Sequence, residues 1–134
     1  MTPFKRKYDP KYAQVLLRIA AAELETVKSM LAHPAGRPEA TCFLAQQVVE
    51  KALKAVICHF GKAVPLIHDI SGLLAAVPDE AGRPPNDTHL TSLTEFATVR
   101  RYEEGAYRLS SEDVAAVVSS AENVVQWAAR ATNA

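Results

Sequence analysis

The chain has 134 residues with 15 basic and 15 acidic side chains, so its formal net charge is zero. Such a length suits one domain with a real core, and 49% hydrophobic against 22% charged residues excludes a disordered tail. Charge balance also excludes a broad basic coat for nucleic acid, so any phosphate would be bound locally.

The N-terminal residues up to Tyr12 are polar and basic, with Lys5, Arg6, Lys7 and Lys11, and are expected to form a tail over about residues 1–10. No apolar h-region follows and no run reaches roughly 18 apolar residues, so a cytoplasmic protein that does not enter a membrane is expected. From Lys11 to His33, Ala13, Leu16, Leu17, Ala20, Leu24, Val27 and Leu31 recur three or four apart, which stacks them on one helical face. Pro34, Gly36 and Pro38 end that helix. A second run over Glu39 to Phe60 has a wide apolar sector, with Gly61 as its cap, and is expected to be central. Cys42 and Cys58 both lie on it, roughly 24 Å apart at 1.5 Å per residue, so they cannot form a disulfide. Their spacing and that of the four histidines suit no structural metal.

Ile70, Leu73, Leu74 and Val77 make a short third helix that Pro78 stops, and the stretch from Pro78 to Thr88 reads as an exposed loop. A fourth helix is expected over about Thr91 to Tyr102. The last begins at Ser110 or Ser111, with Glu112 and Asp113 in its first turn and a valine and alanine stripe from Val114 to Ala128. Nothing alternates with period two, so no sheet is expected. An all-α, antiparallel up-down bundle of about five helices, four main and one short, follows as a single domain over residues 1–134. The second helix is apolar around more of its circumference than one neighbour covers, so part of it or of the first helix is expected to pack against a second copy.

Three polar constellations could carry chemistry. On the second helix Gln46, Gln47, Glu50, Lys51 and Lys54 interrupt the apolar run; Glu50 and Lys54 form an i, i+4 pair, and Lys51 or Lys54 could present an ammonium to a phosphate. Next, His68 and Asp69 open the short helix, where Asp69 suits the N-cap and His68 is a partner, a base or a turn residue. Last, Arg100, Arg101 and Tyr102 are followed by Glu103 and Glu104. Adjacent arginines point about 100° apart on a helix, so one could face inward and the other clamp an anion, with Tyr102 to stack or hydrogen-bond.

The run Cys42 to Ala55, CFLAQQVVEKALKA, resembles the signature second helix of the HEPN family, the higher eukaryote and prokaryote nucleotide-binding domain. His68-Asp69-Ile70 resembles the His-Asp-Leu that follows it in the family, and Arg101-Tyr102 resembles the later Arg-Tyr-Pro. The resemblance spans roughly residues 12–129. It implies a helical bundle, commonly a homodimer, working with a nucleotide, an RNA or a minimal nucleotidyltransferase partner, and needing no cofactor. Many members are metal-independent ribonucleases whose signature is an Arg followed after four to six residues by a His. Here Arg101 is followed by Tyr107 after five intervening residues, and Glu103 stands in place of the proline. The one match in spacing, Arg83 to His89, encloses Pro84 and Pro85 on the expected loop. A non-catalytic binding module using Lys51, Lys54, His68, Asp69, Arg101 and Tyr102, in a toxin–antitoxin type of system, is therefore the preferred expectation. The alternatives are an endoribonuclease toxin, with His68 and Arg101 as its catalytic candidates, and a helical scaffold without ligand.

Overall fold

A computed structural model of the chain describes residues 4–97, 100 and 108–133. In chain order the elements are β1 (Lys5–Arg6), α1 (Tyr12–Ala32), α2 (Pro38–His59), β2 (Val64–Pro65), α3 (Ile70–Ala76), α4 (Asp87–Leu90), α5 (Thr94–Ala97) and α6 (Ser111–Thr132), with 3₁₀ turns at Asp79–Ala81 and Thr91–Leu93. The result is an all-α bundle.

Helix α2 is the axis, packed by α1, α6, α5 and α3. Its wide apolar sector explains this: Val48, Val49, Ala52, Leu53, Val56 and Ile57 are all fully buried and need neighbours on several sides. The chain itself supplies that cover, so among the described residues the large apolar side chains left exposed lie elsewhere, at Phe4, Tyr12, Ile19 and Leu66. Pro38 opens α2 at a position where its missing N–H costs nothing. At the other end Lys62 N–H donates to Ile57 O and Gly61 N–H to Cys58 O, with Gly61 at φ +74°. That paired closure needs a left-handed residue, which glycine supplies without strain. Cys42 and Cys58 are both buried and free.

Helix α6 starts in a reciprocal box, in which Ser110 Oγ accepts from Asp113 N–H at 3.1 Å and Asp113 Oδ2 accepts from Ser110 N–H at 2.9 Å. Of its stripe, Val114, Val118, Ala121, Val124, Val125 and Ala128 are buried, together with Trp127, while Val117 is half-buried.

Two elements differ from the sequence expectation. The expected fourth helix over about residues 91–102 is described only at residues 91–97 and 100, and it opens as a 3₁₀ turn at Thr91–Leu93 before α5. Helical structure begins earlier, at Asp87 after left-handed Asn86 (φ 55°), and passes through the 3₁₀ turn into α5; residues 98, 99 and 101–107 lie outside the described residues. The expected absence of a sheet also fails, because β1 pairs antiparallel with β2, Lys5 facing Pro65 and Arg6 facing Val64. Two-residue strands are too short to show a period, and the backbone bonds of a docked segment create them. Leu66 N–H extends the pairing by donating to Phe4 O at 2.8 Å. Among the described residues no helix is long and apolar enough to cross a membrane.

Candidate functional site

Glu50 is the hub of the polar face of α2. Its side chain is 4% exposed, yet it accepts from Lys54 Nζ at 2.9 Å, Gln47 Nε2 at 3.2 Å and Gln46 Nε2 at 3.3 Å. These residues share a face because they fall one helical turn or one step apart. A buried carboxylate needs that many donors, since without them its desolvation would not be offset.

The fourth partner comes from outside the helix. His68 Nδ1 lies 3.0 and 3.1 Å from the two Glu50 oxygens, while the His68 side chain is 72% exposed. Its backbone is held as well: Gln46 Nε2 donates to His68 O at 3.1 Å. Next to it, a Cβ placed on Gly72 would fall 2.5 Å from Ile67 Cδ1, so the glycine lets the preceding residue seat against α3. Asp69 caps α3 by accepting from Ser71 N–H at 3.1 Å, and Ile70 N–H donates to Thr94 Oγ1 at 3.0 Å. The imidazole thus stands on a fixed backbone. With a carboxylate at Nδ1, the neutral ring carries its proton there and presents the Nε2 lone pair outward. Nε2 has no partner among the described residues. Glu50 and Lys54 cancel in charge, so a second proton on His68 gives the cluster a net positive charge.

The other sequence candidates separate. Lys51 turns to α1 and pairs with Glu23, a bridge between helices that one sequence could not reveal because it depends on how they cross. Arg101 and Tyr102 lie outside the described residues. Arg100 is the inward-facing arginine: it is 6% exposed, its Nη2 is 3.5 Å from Glu39 Oε2, and its guanidinium carbon is 5.7 Å from the Phe96 ring centre. Arg37 joins the same group, with Nε 3.8 Å from Glu39 and Nη2 donating to Arg100 O at 3.3 Å. This internal knot fastens the start of α2 and leaves the Cys42 thiol, pushed up to about 12 by burial and then by Glu39, uncharged and unreactive. Arg83 bonds Asp87 at 3.2 Å and Leu74 O at 3.0 Å, so it ties the loop to α3 and is not directed at His89.

A cleft of about 380 Å³ is lined by residues that include Met30, Arg37, Thr41, Leu109, Ser111 and Val114. It lies by the first turn of α2, nine residues and about 14 Å along the helix from Glu50, and shares no residue with the hub. Among the described residues no group of three His, Cys, Asp or Glu is set to hold a metal.

Comparison with known proteins agrees with the fold. The family model described as HEPN domain matches residues 13–131. The crystal structure of TT1696 from Thermus thermophilus superposes with a TM-score of 0.76 at 21% identity, covering 90% of this chain and 98% of that one, which is a likeness of fold. No curated protein sequence matches.

Proposed function

The chain belongs to the HEPN family, which supports a module for nucleotide or RNA transactions, and from that premise we propose that it binds a nucleotide or an RNA segment at the Glu50 hub without cleaving it. One observation carries the proposal: an exposed imidazole is held by a buried carboxylate at Nδ1, with the Lys54 ammonium on the same carboxylate. Neutral Nε2 accepts a hydrogen bond from a ribose hydroxyl or a base N–H. Once protonated, it donates to a phosphate oxygen. Asp69 serves this site indirectly, by fixing the helix start beside His68. Lys51 leaves the first contact set, because its ammonium is engaged by Glu23.

Catalysis in the family's manner is not expected, since Tyr107 stands where Arg101 would need a histidine. The dyad itself favours a second reading, in which His68 acts as general base toward a 2′-hydroxyl in a metal-independent ribonuclease. We also propose a homodimer formed on the outer side of α1, where Ile19 is 38% exposed, with a minimal nucleotidyltransferase as partner in a toxin–antitoxin pair. Labelled single-stranded RNA and ATP titrated in EDTA should bind wild type intact, and His68→Ala should weaken binding about tenfold, the worth of one charge-assisted hydrogen bond. Binding indifferent to His68→Ala overturns the site; cleavage abolished by that variant installs the ribonuclease instead. Light scattering of the same sample should give the dimer mass, and a monomer at micromolar concentration rejects the dimer.

A further inference from the structure

The basic N-terminal segment is not a loose tail. Over residues 4–12 it carries Lys5, Arg6, Lys7 and Lys11 against the single acid Asp9, a local charge of +3 in a chain of zero net charge. Interleaved with these bases are three rings. Tyr8 and Tyr12 stack with centres 5.2 Å apart and planes within 9°, the Arg6 guanidinium lies 4.8 Å from the Tyr8 ring centre, and Phe4 is 77% exposed. Main-chain and thiol contacts hold the segment in place: β1 pairs with β2, Leu66 N–H donates to Phe4 O, and Cys58 Sγ donates to Asp9 O at 3.4 Å. An exposed phenylalanine among lysines serves no core, so folding alone does not account for the pattern.

We infer that residues 4–12 form a stacking platform for a single-stranded polynucleotide, with unpaired bases laid on the Phe4 and Tyr12 rings and the Arg6 plane and phosphates met by Lys5, Lys7 and Lys11. Stacking needs bases free of a duplex, and closely spaced lysines follow a backbone without reading its sequence. The platform also reaches the hub. Phe4 is bonded to Leu66, two residues before His68, and the arm meets α2 at Cys58, eight residues from Glu50: about 12 Å along the helix and about 80° around it. A strand that crosses the arm continues to His68 and Lys54. The inference rests on the nucleotide or RNA reading and extends it from one contact to a track.

The test is anisotropy of a labelled oligouridylate of about 12 nucleotides, within the span such platforms cover, against its deoxy counterpart and a hairpin of equal length. Phe4→Ala combined with Tyr12→Leu should weaken single-strand binding at least about tenfold. Replacing Lys5, Lys7 and Lys11 by Gln should lower the slope of log affinity against log salt by about 2. RNA and DNA strands should bind alike at the arm, and the hairpin worse. Phe4 is so exposed that Phe4→Ala keeps the fold, and with the lysine variant it decides the matter if Tyr12→Leu does not fold. Unchanged affinity and slope in the arm variants, with binding weakened about tenfold in His68→Ala, overturn the platform and leave the hub standing. Failure of wild type to bind any strand overturns both, and a hairpin bound as tightly as the single strand overturns stacking.

Discussion

Glu50 and His68 show how a residue's role depends on what folding brings to it. In the sequence Glu50 is half of a helical ion pair with Lys54, worth a few tenths of a kcal/mol on an open surface. In the fold the same carboxylate is buried and collects four side chains, one of them 18 residues away across the turn and β2. The Lys54 contact was legible from spacing, whereas the His68 contact was not, because only the docking of residues 64–69 creates it. Glu39 was missed for the same reason: nothing local marks it as the partner of Arg100. Removing the hub should cost more than removing any one partner. Glu50→Ala is expected to lower stability by about 2 kcal/mol, since Gln46, Gln47, Lys54 and His68 all lose the carboxylate on which they converge, while Lys54→Ala should cost under about 1 kcal/mol because Glu50 keeps its other donors. Urea unfolding followed by Trp127 fluorescence measures both, and equal losses would mean that Glu50 is no hub.

At the scale of elements, apolar spacing located α1, α2 and α3 to within a residue or two, and the start of α6, because each presents a stripe to the core; α6 runs on to Thr132, past the stripe's end at Ala128. The segment after Pro78 resisted such reading. Its helical turns are four residues or fewer, too short for a stripe, and they are shaped by Asn86 and by Arg83 gripping Leu74 O. Capping was legible at Ser110, and it has a pH signature. The Ser110 N–H and hydroxyl hold the Asp113 carboxyl below its ordinary 3.8, so its contribution to stability is present above that value and is lost as pH falls through the lower folded value. Between about pH 5 and about pH 2.5 the melting temperature of wild type should therefore fall more steeply than that of Asp113→Asn. Ser110→Ala should cost about 1 kcal/mol at neutral pH. Parallel acid profiles for wild type and Asp113→Asn would show that the box adds nothing.

At the scale of the molecule, a zero net charge conceals an uneven distribution. Four bases of the first twelve residues are gathered on one docked arm, and that arm runs beside the segment that delivers His68. The basic cluster was visible in the sequence, but its place beside the hub was not, since it depends on a two-residue ladder that no periodicity announces. A neutral protein with one concentrated basic strip can engage phosphate locally without coating itself in nucleic acid. The fold shared with TT1696 sets the frame for this, while the proposed binding chemistry rests on the side chains mounted on α2 and the arm.

The most direct measurement is nitrogen NMR of the His68 ring during titration with single-stranded RNA, in wild type and in Glu50→Gln. In free wild type the proton should reside on Nδ1, and added RNA should shift Nε2 saturably; in Glu50→Gln the preference for that tautomer should weaken and the shift should need more RNA. A His68 ring that ignores RNA at concentrations where the protein is bound, or that carries its neutral proton on Nε2, would contradict a site built on the Glu50 hub.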